Sequence, residues 1–151
     1  MPVLKQSARQ GSRAQEDYLE QIHNLIEEKG YARVVDVAKN LGLAQASVTN
    51  MIQRLDGDGL VNYVKYRGVV LTEAGEQIAL AIIRRHESLA SFLGLFELDE
   101  DTIYEDVEGM EHHISPETLA AIISLTEELK RQPALVKRVQ KRMGEVAGIS
   151  P

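Results

Sequence analysis

A helix, a glycine turn, a second helix and a short hairpin follow one another over residues 36–72, and this order constrains the fold most. A short helical pattern from Asp36 to Leu41 is followed by Gly42 and by a longer amphipathic pattern that opens near Gln45. Two short β-type runs then flank the segment Lys65–Gly68. A helix-turn-helix that is followed by such a hairpin is a winged helix, which is typical of DNA-binding proteins.

The second helix of this motif carries short polar side chains opposite its apolar stripe. The predicted DNA-facing positions of this helix are Gln45, Ser47, Thr49, Asn50, Gln53 and Arg54. Such side chains bind base edges or phosphates. Basic hairpin tips often serve only solubility, but beside a recognition helix we expect Lys65 and Arg67 to contact phosphate or the minor groove.

The charge of the chain is unevenly distributed, which indicates two modules. Residues 1–72 carry nine basic and eight acidic side chains, whereas residues 73–151 carry eight basic and fifteen acidic ones. The first module therefore tolerates a polyanion, and the second concentrates carboxylates for another purpose. We predict a flexible basic arm over residues 1–14, a winged-helix domain over 15–72 and a helical domain over 73–151.

The acidic segment Glu105–His113 is the main candidate for a second functional site. If it is helical, Glu108, Glu111 and His112 stand at i, i+3 and i+4 and project from one face. Two carboxylates and an imidazole in this arrangement can bind a metal ion, although an acidic, solvated helix face has the same pattern. The chain has no cysteine, so that any metal must be held by oxygen and nitrogen ligands.

The remaining pattern of residues 73–151 is helical. Thr72 is a predicted N-cap of a long helix that reaches Gly94 and carries His86, and Ser115 followed by Pro116 is a predicted start of another. Leucine and isoleucine positions on the latter helix indicate a dimer interface. The predicted fold class is therefore mostly α: an N-terminal winged helix-turn-helix with a two-stranded wing, followed by an all-helical dimerisation domain.

Several motifs in a fixed order resemble the diphtheria-toxin-repressor family of metal-dependent transcription regulators, and most closely its manganese transport regulator branch. The resemblance covers residues from about Gln15 to about Leu125. The motifs that carry it are Glu16–Ile22, Glu28–Val34, Tyr66–Thr72, Arg85–Glu87 and Asp106–His113.

The resemblance implies a set of metal ligands that comes from three segments of the chain. The positions that match the family's ligands are Asp17, Glu20, His86, Glu108, Glu111 and His112. It also implies two Mn(II) ions per subunit, bridged by carboxylates, and a homodimer on a palindromic operator. The iron-sensing branch has Met and Cys where this chain has Asp17 and Glu108, and hard oxygen ligands in their place favour Mn(II).

The resemblance predicts a Mn(II)-responsive repressor of manganese uptake genes in which metal between the two domains orders the dimer for the operator. The sequence departs from the pattern at Asn50, where the family branch has Lys, and at His23, where it has an aromatic residue. The operator sequence therefore cannot be carried over.

Two other functions remain open at the level of sequence, namely a di-metal carboxylate enzyme and a winged-helix regulator that responds to an organic ligand. The enzyme leaves the winged helix unexplained, so we expect no catalysis, no small organic substrate and no catalytic residue. No apolar run has the roughly 18 residues of a membrane span. We therefore expect a cytoplasmic protein without a membrane partner.

Overall fold

The computed structural model describes residues 12–148, and within them the chain forms helices and one small sheet. The elements, in chain order, are α1 (Arg13–Lys29), α2 (Val34–Leu41), α3 (Gln45–Gly57), β1 (Val61–Val64), β2 (Gly68–Leu71), α4 (Glu73–Gly94), α5 (Glu100–Met110), α6 (Pro116–Lys130) and α7 (Pro133–Val146). The mostly helical class and the winged helix-turn-helix are confirmed. The predicted arm over residues 1–14 falls largely outside the described residues.

The chain divides into two compact units, the first reaching Ile83 and the second beginning at Arg84. Hydrophobic side chains from α1, α2, α3 and the sheet form the core of the first unit. Leu19, Ile22, Val37, Ile52 and Val61 are among its members and are almost wholly buried. This core fixes the helix-turn-helix to the first helix and to the wing.

Helix α1 begins two residues before the predicted start at Gln15, because Ser12 caps it. The Ser12 hydroxyl accepts a hydrogen bond from the Gln15 N–H, and the Gln15 side chain accepts one from the Ser12 N–H. This reciprocal capping box satisfies backbone donors of the first turn. Gly30 ends the helix in the left-handed conformation, with φ 80°, as the sequence predicts.

Helices α2 and α3 form the predicted helix-turn-helix. Helix α2 begins at Val34, two residues earlier than predicted, and Gly42 ends it with φ 66°. Val48, Ile52 and Leu55 form the buried stripe of α3. The opposite side of α3 is consequently turned away from the core.

The wing is an antiparallel pair of strands, in which Val61 pairs with Leu71 and Val64 with Gly68. Ala32 adds an isolated bridge on the other side of β2, where its carbonyl accepts a 2.8 Å hydrogen bond from the Val69 N–H. Gly68 lies so close to this segment that a Cβ there would be 2.6 Å from the Ala32 carbonyl oxygen. The first residue of β2, next to the tip of the wing, therefore requires glycine.

Helix α4 starts at the predicted N-cap, since the Thr72 hydroxyl accepts a hydrogen bond from the Gly75 N–H. A Cβ on Gly75 would lie 2.0 Å from the carbonyl oxygen of Leu60. The first turn of α4 can thus pack against the chain that enters the wing only because residue 75 is glycine.

The second unit contains the end of α4 and helices α5, α6 and α7. Ser115 and Pro116 start α6 as predicted, with the Ser115 hydroxyl accepting a hydrogen bond from the Thr118 N–H. Helix α5 is capped by Asp99 and ends at Met110, which is earlier than the acidic segment requires if all of it is helical. Within residues 12–148, no helix combines the length and the apolar character that crossing a membrane demands.

Candidate metal centre and nucleic-acid interface

The acidic segment continues from α5 into a turn, where two of its side chains are buried. Glu111 follows the last helical residue with φ −61° and ψ −29°, and a turn covers residues 111–113. Glu108 therefore lies on the helix, whereas Glu111 and His112 lie just beyond it. The side chain of Glu111 is completely buried, and that of His112 is 1% exposed.

Three side chains of the second unit bring their ligand atoms together. Nδ1 of His86 on α4 lies 2.8 Å from Oε2 of Glu111 and 3.7 Å from Oε1 of Glu108. One ligand atom from each of His86, Glu108 and Glu111 can be chosen so that all lie within 4.8 Å of one another. The structure thus brings together three of the six predicted ligands.

His112 lies on the other side of Glu111. Its Nε2 is 3.4 Å from Oε1 of Glu111, the carboxylate oxygen that does not face His86. Oε1 of Glu111 is buried and accepts no hydrogen bond from the part of the chain that the structure describes. The buried carboxylate accordingly has an imidazole nitrogen near each of its two oxygens.

The surroundings of Glu111 work against its negative charge. Burial raises the pKa of this carboxyl, and repulsion from Glu108 raises it further. The hydrogen bond and charge of His86, together with the charge of His112, lower the pKa without cancelling the increase. A cation at this place would reverse the balance, because it stabilises both carboxylates.

The donor atoms fit a divalent metal ion. Carboxylate oxygens and imidazole nitrogens bind such ions at about 2.0–2.2 Å, so that two ligands on opposite sides of one ion are at most about 4.4 Å apart. The 4.8 Å span of the three donors exceeds this limit by only a few tenths of an ångström. Small side-chain rotations would therefore suffice to complete the coordination.

Two neighbours of the cluster were not predicted from the sequence. The Arg85 guanidinium donates a 3.5 Å hydrogen bond to the backbone carbonyl of Glu111, which ties the turn after α5 to α4. The ring of Tyr104 meets that of His86 edge to face, with centroids 6.2 Å apart. Arg85 and Tyr104 stand next to or one turn away from predicted ligands, but no sequence signal shows that they turn toward them.

The other predicted ligands, Asp17 and Glu20, lie on α1 in the first unit and are half-buried. They remain predictions, since the cluster found in the structure lies wholly within the second unit. His23 is also half-buried on α1, and His113 is exposed in the turn after α5.

The predicted DNA-facing side chains lie on one helix and one hairpin of the first unit. Of the predicted positions on α3, Thr49 is half-buried, and the exposed ones are Gln45, Ser47, Asn50, Gln53 and Arg54. Lys65 and Arg67 are exposed at the tip of the wing, on either side of Tyr66. Tyr66 is 90% exposed and has a positive φ of 67°.

Two known protein families match consecutive parts of the chain. Residues 12–69 match the family described as iron dependent repressor, N-terminal DNA binding domain. Residues 72–139 match the family described as iron dependent repressor, metal binding and dimerisation domain. The chain belongs to the iron-dependent repressor family.

Members of this family are metal-responsive, DNA-binding transcriptional repressors, and this chain is one of them. It carries the family's DNA-binding domain and its metal-binding and dimerisation domain, which confirms the predicted regulator and disfavours the di-metal enzyme. The family resemblance drawn from the sequence motifs is therefore confirmed.

Relatives within the family are similar over most of the chain. The HTH-type transcriptional regulator MntR of Bacillus subtilis (strain 168) is 47% identical over 130 residues, which are 84% of this chain and 92% of that protein. The protein of the same name from Lysinibacillus sphaericus (strain C3-41) is 46% identical over 125 residues, 83% of this chain and 90% of its own. A solved manganese-dependent transcriptional repressor in complex with manganese has a TM-score of 0.67 and 28% identity over 75% of this chain and 52% of that one.

Proposed function

We propose that this iron-dependent repressor family protein is a Mn(II)-responsive repressor of manganese uptake genes, acting in the cytoplasm. The observation that carries the proposal is the cluster of His86, Glu108 and Glu111, which offers one nitrogen and two carboxylate oxygens and no sulfur. Hard oxygen donors suit Mn(II) better than softer ions. Regulators that are similar to this chain over most of its length carry the name MntR, and a solved structure that resembles it is a manganese-dependent transcriptional repressor in complex with manganese.

His86, Glu108, Glu111 and His112 are the proposed ligands of the second unit. A metal ion bound there would offset the negative charges of Glu108 and Glu111. Glu111 has an imidazole near each oxygen, an arrangement that suits a carboxylate shared by two ions. This geometry supports two Mn(II) ions per subunit. The family resemblance adds Asp17 and Glu20 as further predicted ligands.

The first unit is the proposed DNA reader. Helix α3 would enter the major groove with Gln45, Ser47, Thr49, Asn50, Gln53 and Arg54, while Lys65 and Arg67 contact phosphate or the minor groove. Two copies in a dimer would match a palindromic operator, because protein two-fold symmetry is mirrored in the DNA. Ile123 and Leu125, which are exposed on α6, are the apolar side chains that we propose the second copy covers.

The experiment that tests this function is selection of binding sites from a randomised pool of DNA duplexes, with and without Mn(II). The selected duplex then serves in binding titrations with Mn(II), Fe(II), Ni(II) and Zn(II). We expect Mn(II) to raise the DNA affinity most. Recovery of no enriched duplex with Mn(II), or a higher affinity with Zn(II) than with Mn(II) at equal free concentrations, would refute the proposal.

Glu108→Cys tests the ligand softness on which the choice of Mn(II) rests. A thiolate at this position favours softer ions, so the ranking of the ions should shift from Mn(II) toward Zn(II) or Ni(II). Glu105→Cys, at an exposed position on the same helix, is the matched control and should keep the wild-type ranking. Identical rankings for Glu108→Cys and the wild type would show that residue 108 does not set the selectivity.

A further inference from the structure

The segment Tyr31–Arg33 lies along the outer edge of β2, next to the wing tip that carries the proposed DNA contacts Lys65 and Arg67. Ala32 bridges to Val69 and is completely buried, which fixes the backbone of this segment against β2. Side chains alternate in extended backbone, so Tyr31 and Arg33 point to the side opposite Ala32. Both are exposed.

Arg33 and Tyr31 form a preorganised pair. The guanidinium carbon of Arg33 lies 4.8 Å from the centroid of the Tyr31 ring, so the ring supports the cation. The backbone of Arg33 is held as well, because its carbonyl accepts 3.0 Å hydrogen bonds from the N–H groups of Asp36 and Val37. An arginine fixed in this way loses less conformational entropy when it binds an anion.

Arg33 lies close to Gly68 of the wing. The Cγ atom of Arg33 is 4.0 Å from the point that a Cβ on Gly68 would occupy, and Gly68 directly follows Arg67. The side chain of Arg33 therefore starts beside the residue that follows Arg67, close to the hairpin tip that carries Lys65 and Arg67. No carboxylate of residues 12–148 forms an ion pair with any of these three side chains.

Arg33 also marks the start of the first helix of the helix-turn-helix, since it is the N-cap residue of α2. In complexes of this motif the first helix crosses the DNA backbone while the second lies in the major groove. A side chain at the beginning of α2 is thus close to phosphates when α3 is in the groove. The unpaired charge and the place in the motif point to the same partner.

We propose that Arg33 is a phosphate-binding residue of the DNA interface and that Tyr31 is its positioning residue. The inference rests on the proposed DNA-reading role of the first unit. Arg33 contacts the sugar-phosphate backbone and reads no base, so its contribution is the same on every DNA sequence. Tyr31 acts through Arg33, by holding the guanidinium over its ring.

The test measures DNA affinity against salt concentration at saturating Mn(II), with Arg33→Gln as the main variant. The probes are the duplex selected with the wild type and a mixed-sequence duplex of equal length. We expect Arg33→Gln to bind both duplexes about ten-fold more weakly. Its plot of log affinity against log salt should be flatter by about 0.9 unit, because one phosphate contact releases about that many counterions.

Further variants separate charge, stacking and folding. Arg33→Lys should keep the salt slope, Tyr31→Phe should bind as the wild type does, and Tyr31→Ala should weaken binding less than Arg33→Gln. Arg138→Gln, which removes an exposed arginine on α7, is the control for net charge and should leave the slope unchanged. Thermal unfolding of each variant shows whether the fold is intact.

Equal affinity and slope for folded Arg33→Gln and the wild type would overturn the inference, as would a loss confined to the selected duplex. Failure of the proposed function looks different. In that case the wild type itself enriches no duplex with Mn(II), whatever residue 33 is.

Discussion

In the first unit the buried cluster around Leu19, Ile22 and Ile52 is hydrophobic, whereas in the second unit Glu111 and His112 are buried at the end of α5. Hydrophobic burial stabilises a fold at any pH and without a ligand. A buried carboxylate is different, because its burial is unfavourable unless a proton or a cation accompanies it. The contrast indicates that the hydrophobic core of the first unit is stable without a ligand, while the second unit carries an element whose stability depends on what binds it.

The largest expected effect comes from weakening the hydrophobic core of the first unit. Ile52 is completely buried in α3, so Ile52→Ala should lower the free energy of unfolding by about 2–5 kcal/mol. Because the lost contacts are apolar, the loss should be similar with and without Mn(II). Urea unfolding under both conditions measures it.

Val35→Ala, at an exposed position of α2, is the control and should change stability by less than about 0.5 kcal/mol. If Mn(II) restored most of the stability lost in Ile52→Ala, the stability of the hydrophobic core in the first unit would depend on metal binding after all.

The next effect concerns the buried carboxylate as a ligand. Glu111→Gln keeps the shape of the side chain but removes its charge, so Mn(II) affinity should fall by more than about 100-fold, the upper range for changes in residues that only support a ligand. Isothermal titration with Mn(II) measures the loss. The control is Glu105→Gln, which removes the same charge from an exposed site on α5.

Similar losses in Glu111→Gln and Glu105→Gln would mean that the acidic helix attracts the ion only through its overall charge. Loss in Glu111→Gln alone supports a defined ligand.

A smaller effect is expected from the wing. Lys65→Ala and Arg67→Ala should each weaken DNA binding by several-fold and flatten the salt dependence by about one unit, because each removes one phosphate contact. Neither should change Mn(II) affinity. A fluorescence titration with labelled DNA over a salt series checks both statements, and an unchanged slope would remove that side chain from the interface.

The smallest expected effect is a pH dependence of stability without metal. Burial raises the pKa of Glu111 in the folded protein. As pH rises above about 4.3, the usual pKa of glutamate, the unfolded chain loses this proton first. The folded state then holds more protons, so the contribution of Glu111 to the free energy of unfolding falls with rising pH until the folded pKa is passed.

Urea unfolding of the metal-free wild type and of Glu111→Gln at pH 4.5 and pH 7 measures this contribution as a difference. Relative to Glu111→Gln, the wild type should be less stable at pH 7 than at pH 4.5. The opposite sign would show that the histidines stabilise the ionised carboxylate more than burial opposes it.

Local sequence signals predicted much of this structure. The N-caps at Thr72 and Ser115 and the stop at Gly30 depend on hydrogen bonds and backbone angles within a few residues. The α3 stripe has a helical period that the hydrophobic core confirms. The sequence also singled out His86, Glu108 and Glu111, which the structure brings together, and their role as metal ligands stays a prediction.

The features that were missed depend on contacts between distant parts of the chain. Helical spacing alone did not show that α5 ends at Met110 and that Glu111 turns into a buried corner against His86. The bridge between Ala32 and Val69 spans too few residues to leave an alternating pattern. Without that bridge nothing in the sequence brings Arg33 to the wing.

The contact between Gly68 and Ala32 separates the wing into a part that cannot vary and a part that can. A side chain at position 68 would collide with backbone, so the start of β2, directly after the tip, accepts glycine alone. The tip from Lys65 to Arg67 is exposed and makes no ion pair within residues 12–148. The side chains of the tip can therefore be substituted to change what the hairpin contacts on DNA, while the backbone contact between Gly68 and Ala32 keeps its geometry.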